Sequence, residues 1–107
     1  VRSWLSQRLV EAAARAAARR GVSKVARSRD GFLAQFRASG RRMHPWWKAR
    51  RAAFIARHFA QVIRRGEPLY DKGGRPTRRH LALAVWAFSP DPRGLARSLR
   101  TRSGRST

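Results

Sequence analysis

The stretch Thr77-Arg-Arg-His-Leu-Ala-Leu-Ala-Val-Trp-Ala-Phe88 decides what kind of fold this chain can have. From Leu81 to Phe88 every side chain is apolar, so the segment needs cover on all sides. Periodicity alone fits a buried strand or a buried helix. Three features select helix: Thr77 is a preferred N-cap residue, alanines punctuate the run, and Ser89-Pro90 stops it. The segments around it also carry helical patterns. The expected fold is therefore all-α, a small bundle of about four helices closing over this run, with a basic, extended C-terminal tail.

Upstream, Pro45 suits a first helical position, and the pattern continues to about Arg65 before Gly66. On a helical wheel Trp47, Phe54, Ile55, His58, Phe59, Val62 and Ile63 form a broad apolar sector. Arg50, Arg57 and Arg64, seven apart, form a stripe beside it, while Lys48, Arg51 and Arg65 interrupt or flank the sector. Residues 41–65 hold eight basic side chains and no acidic one, so this helix cannot balance itself with ion pairs one turn apart.

Further upstream, a helix is expected from about Ser3, as N-cap, to Arg20, with Gly21 closing it. Leu5, Leu9, Ala12, Ala13 and Ala16 share one face, a shallow one, and Arg8, Arg15 and Arg19 line a neighbouring one. Residues 22–40 read as a second helical unit in which Phe32, Leu33 and Phe36 make a compact apolar patch ending before Gly40. Gly21-Val-Ser-Lys-Val-Ala-Arg-Ser28 resembles the first helix of a helix-turn-helix, with Asp30-Gly31 one residue out of the usual spacing. A short amphipathic helix with no groove-reading role is the other reading of the same residues.

Between the two long apolar segments, Gly66 to Pro76 is a loop by its glycine and proline content. Lys72-Gly-Gly-Arg-Pro-Thr-Arg-Arg79 resembles the central portion of an AT-hook, which inserts arginine into a narrow minor groove. Here Gly73-Gly74 replaces the expected Arg-Gly. The same residues also read as a glycine turn, a proline and a Thr77 cap leading into the apolar helix. The chain is thus divided into a basic helical domain, residues 1–92, and an Arg-rich tail, residues 93–107, where Leu95 and Leu99 could anchor one turn.

Charge is the strongest functional signal. Among 107 residues, 26 Lys and Arg face 5 Asp and Glu, a net charge of +21. The surplus lies in every segment except residues 66–92, where four basic and three acidic residues nearly cancel. A GC-rich genome would explain arginine replacing lysine, but not the scarcity of acids. A surface built only for solubility mixes both signs, and self-repulsion at this charge opposes compaction. A polyanion would relieve that repulsion, and guanidinium binds phosphate in bidentate fashion and stacks on bases.

Candidate nucleic-acid contacts are Arg8, Arg15 and Arg19; Arg41 and Arg42; Arg50, Arg57 and Arg64; Arg75, Arg78 and Arg79; and the tail residues Arg97, Arg100, Arg102 and Arg105. Core packing is the default for a tryptophan in so small a domain. Neighbours on a helix point about 100° apart, so Trp47 can be core while Trp46 remains free to stack on a base. Trp86 is expected in the core.

Other chemistries find little support. Without cysteine there is no disulfide framework or thiolate zinc site. His44, His58 and His80 have no metal-ligand spacing, and His58 reads as a core histidine. Glu67 and Asp71 are the one close acidic pair, in a loop where they can equally pair with arginine. No phosphate-cradling glycine loop or nucleophile elbow occurs. Catalysis, cofactors and metals are therefore not expected. No apolar stretch approaches ~18 residues, and Arg8, Glu11 and Arg15 interrupt any leader-like run, so a protein that is cytoplasmic, nucleoid-associated or virion-internal, and not secreted, is expected.

The sequence thus leads to a structural nucleic-acid-binding protein, for RNA or DNA, acting within a larger assembly and open to homo-oligomerisation. The second hypothesis is an interaction module or inhibitor docking on an acidic protein, which predicts localised rather than distributed charge. A membrane-active cationic helix is the third, and the alanine-rich face is too poor in bulky residues for it.

Overall fold

The computed structural model describes the backbone of residues 4–104 and the side chains of residues 4–100. Among the described residues there are five α-helices and no strand: α1 Gln7–Arg19, α2 Phe32–Ser39, α3 Pro45–Arg65, α4 Arg78–Val85 and α5 Pro92–Gly104. A short 3-10 turn, Gly40–Arg42, links α2 to α3. The all-α expectation holds, with one helix more than expected. None of these helices is long and apolar enough to cross a membrane.

The apolar run that decides the fold lies at the centre. Thr77 caps α4 by accepting from the His80 N–H at 3.3 Å, and Leu81, Leu83, Ala84, Val85, Trp86, Ala87 and Phe88 are all buried. The helix stops at Val85 rather than at Phe88. Ala87 takes a left-handed conformation, φ 63°, and the Phe88 N–H returns to the Leu83 carbonyl at 3.2 Å. This closure is usually made with glycine, and alanine holds it here inside the core.

α1 and α3 both pack on α4. Ser6, not Ser3, caps α1 by accepting from the Leu9 N–H, and Ser3 lies outside the described residues. Val10, Ala13, Ala14, Ala16 and Ala17 are buried while Leu9 and Ala12 are partly so. The buried face is therefore turned from the expected one toward Val10, Ala14 and Ala17. Its small side chains let two backbones approach closely, but contribute modestly to burial. Gly21, φ 68°, ends the helix as expected.

α3 begins at Pro45 as expected, with His44 Nδ1 accepting from the Trp46 N–H, and ends at Gly66 in the left-handed region. Of its residues only Arg51 and Ile55 are buried. Phe54, Phe59 and Val62 are half-buried against Leu83 and Phe88, and Ile63 is 69% exposed. The apolar sector is thus wider than the surface that covers it.

Residues 22–31 form turns, so the helix-turn-helix likeness has no first helix here. The second helical unit is confined to α2, where Phe32, Leu33 and Phe36 are buried as expected. Gly31 precedes it because a Cβ there would collide with the carbonyl oxygens of Val25 and Ala26.

The segment after Pro90 departs furthest from expectation. It is helical from Pro92 to Gly104 rather than extended, and Leu95 and Leu99 are buried in the core shared by α1 and α4. The cause is local: the Asp91 carboxylate caps the helix by accepting from the Gly94 N–H at 3.1 Å, and Pro92 occupies the first helical position.

Candidate nucleic-acid interface

The acidic residues are largely engaged within the fold. Glu11 receives two hydrogen bonds from Arg37, at 2.6 and 2.9 Å, which holds its carboxyl below the usual range. Glu67 receives Arg79 at 2.8 and 3.3 Å and is lowered in the same way. Asp71 accepts from the backbone N–H groups of Arg75 and Gly73, which lower it. Asp91 accepts from the Tyr70 hydroxyl at 2.9 Å as well as capping α5. Four of the five acids therefore serve local structure.

The expected arginines divide accordingly. Arg8, Arg15 and Arg19 on α1, Arg41 and Arg42 in the 3-10 turn, and Arg50, Arg57 and Arg64 on α3 are exposed. So are Arg75, Arg78, Arg97 and Arg100. Arg79 is different: half-buried, it joins Glu67 and also reaches His58 Nδ1. Of Arg102 only the backbone is described, and Arg105 lies outside the described residues.

Two arginines, Arg20 just after α1 and Arg78 at the start of α4, fix the geometry of one basic region. Arg20 Nη1 donates to the Pro76 carbonyl at 2.8 Å, and Arg78 Nη1 donates to the Arg20 carbonyl at 2.8 Å. These reciprocal bonds tie the C-terminus of α1 to the start of α4. Beside them, a cleft of about 330 Å³ is lined by Arg19, Arg20, Arg75 and Asp71. A second, of about 360 Å³, is lined by Arg75, Arg97, Tyr70 and Asp91. Arg75 borders both, so α1, the 66–77 loop and α5 bring four guanidiniums to one region. Read from sequence, Arg20 only ends the first helix and is not a candidate contact, and no sequence signal points to this cluster. The loop is a hairpin pinned by Asp71, with a bridge between Tyr70 and Pro76, which supports the cap-and-turn reading over the AT-hook likeness.

The other basic region is α3. Arg50 lies over the Trp46 ring at 4.7 Å and the Trp47 ring at 5.8 Å. Trp46 is 54% exposed, whereas Trp47 packs on Phe32 and Trp86. Trp47 thus follows the default of core packing, half-buried against those rings, while Trp46 departs from it and takes the solvent position that the turn between helical neighbours allows. Arg50 and Arg57 border a groove of about 150 Å³ over Ala53, Phe54 and Trp86.

Arg51 does not belong to this surface. It is 3% exposed, donates to the carbonyls of Trp86 and Ala87, and lies 3.8 Å over the Trp4 ring. Burial brings its pKa down to about 10, which leaves it charged at neutral pH. The negative end of α4 receives that charge.

Among the described residues, His80 and Ser89 form an arrangement reminiscent of nucleophilic catalysis. His80 Nε2 lies 2.7 Å from Ser89 Oγ. Both side chains are buried, and His80 Nδ1 donates to the Leu69 carbonyl. The pair holds the 66–77 loop against the start of α5 rather than facing a substrate. Among the described residues no three His, Asp or Glu side chains converge as a metal site would require.

Compared with family models, curated proteins and solved structures, the chain matches none.

Proposed function

We propose that this protein is a structural nucleic-acid-binding protein that neutralises a phosphate backbone, largely without reading sequence. Its setting is a larger nucleoprotein assembly: a ribonucleoprotein, a chromatin-like complex or a packaged viral genome. The observation that carries this reading is the separation of charge. Glu11, Glu67, Asp71 and Asp91 are engaged by internal donors, while guanidiniums on α1, α3, α5 and the 66–77 loop face water. Charge spread over so many elements fits a long polyanion better than a compact acidic patch on one protein partner.

Counterion release supplies the driving force. If ~8 arginines meet phosphates, affinity for duplex falls about 10⁴-fold between 50 and 200 mM salt. Electrophoretic shifts with duplex DNA, RNA and anionic vesicles across a salt series test this. A sequence-tolerant shift that collapses with salt is expected. Retention on vesicles or an acidic polypeptide, with indifference to polynucleotides in dilute buffer, overturns it.

A further inference from the structure

The α3 groove differs from the other clefts in two respects. The clefts bordered by Arg19, Arg75 and Arg78 each include a carboxylate in their lining, from Asp71, Asp91 or Glu67. The groove between Arg50 and Arg57 has none. It also has an aromatic ring beside it that the core does not cover, since Trp46 is more than half in water. A tryptophan left exposed against a guanidinium, at the start of a helix whose other rings pack inward, offers a flat π-surface next to a fixed positive charge.

From this we propose that the start of α3 is a binding site for single-stranded nucleic acid. An unpaired base stacks on the Trp46 indole, and Arg50 and Arg57 hold the phosphates flanking it. The proposal rests on the nucleic-acid reading above and narrows it to the state of the strand. Arg50 lies over the Trp46 ring at 4.7 Å from its centroid; a base that takes that face displaces the guanidinium, which turns to the phosphate beside it. Arg57 follows two helical turns on, about 10 Å along the axis, and Arg64 continues the line. A basic track with an exposed aromatic platform suits a strand whose bases are free to turn toward protein. In a duplex the bases face each other, and Trp46 would gain nothing from them. Base identity has little influence, because every base presents a π-face.

The test separates stacking from charge. Three labelled probes of about 12 nucleotides are titrated by fluorescence anisotropy: oligothymidylate, an abasic strand of equal length and charge, and a duplex. The full chain is expected to bind oligothymidylate about fivefold or more tighter than the abasic strand. Trp46→Ala brings that ratio toward one, and Trp46→Phe keeps most of it. Circular dichroism establishes that each variant is folded. A ratio of one in the unsubstituted protein, or a ratio that Trp46→Ala leaves intact, overturns the single-strand site even if duplex binding is strong. Absence of salt-dependent binding to all three probes overturns the backbone-binding reading and this proposal together.

Discussion

Arg51 Nε lies 2.8 Å from the carbonyl oxygen of Trp86, and that bond joins the middle of α3 to the end of α4. The guanidinium meets the Ala87 carbonyl as well, which also accepts the Leu5 N–H at 2.9 Å. Trp4 covers its face. One arginine in a chain with a large surplus of them is thus built into the core, where its planar fork satisfies carbonyls that the left-handed turn at Ala87 leaves open. The surplus is therefore of two kinds, and function has to be sought in the exposed kind.

Arg51→Ala is expected to destabilise the fold by about 3 kcal/mol, because buried carbonyls lose a charged donor and gain no substitute. Arg51→Lys keeps the charge but not the fork, and is expected to cost about 1–2 kcal/mol. Urea unfolding monitored by tryptophan fluorescence measures both. Losses below about 0.5 kcal/mol, the range of ordinary surface substitutions, contradict the assignment.

The exposed kind is read by salt dependence. On the proposed function, Arg57→Gln removes one phosphate contact and lowers the slope of log affinity against log salt on duplex DNA by about 0.9. Arg79→Gln is expected to change that slope less, since Glu67 and His58 already hold the guanidinium, and to show itself in stability instead. Equal slopes for the two variants contradict the division between exposed and engaged arginines.

Acid sensitivity should begin in the histidine range. His80 is 0% exposed, donates from Nδ1 to the Leu69 carbonyl, and so accepts at Nε2 from the Ser89 hydroxyl. Ser89 Oγ in turn accepts the Asp91 N–H at 3.0 Å. Burial lowers the His80 pKa below its ordinary 6.5, against a smaller opposing pull from Leu69 and Asp91. His58 is lowered too, by burial and then by Arg79 and Arg57. A histidine with a depressed folded pKa binds its proton more readily when unfolded. Its contribution is complete above about pH 6.5 and is lost as pH falls through the folded value. Each histidine adds at most about 1.4 kcal/mol per pH unit to the slope. The urea midpoint is expected to fall between pH 7.5 and 5, and a flat midpoint over that range contradicts it.

The parts of this fold that were legible in the sequence are those where one local signal acts alone. Pro45 and Gly66 bracket α3, Thr77 starts α4, and the apolar run from Leu81 to Phe88 is buried except at Ala82, which is partly so. What escaped notice depends on partners distant in the chain. The role of Arg51 exists only because the end of α4 lies beneath it. The meeting of Arg19, Arg20, Arg75 and Arg97 depends on how α1, the 66–77 loop and α5 dock. At the C-terminal segment the local signal was present but outweighed: Asp91-Pro92 is a strong helix start, and Leu95 and Leu99 stand one turn apart, yet serine, glycine and arginine dominate the composition around them.

That last segment gives the most direct check on the fold. Leu95 is fully buried and Leu99 nearly so, packed in the same cluster as Val10, Leu81 and Trp86. A basic tail ordered only by a polyanion would not bury them, and substitution there would leave the unbound protein unaffected. With α5 packed against α1, Leu95→Ala leaves a cavity and is expected to cost about 2–4 kcal/mol in the protein alone. Arg100→Ala, at an exposed position on the same helix, is expected to stay within about 0.5 kcal/mol. Unfolding curves without nucleic acid decide the matter: equal, negligible effects would remove α5 from the folded core, whereas a large loss confined to Leu95 makes the helix part of it.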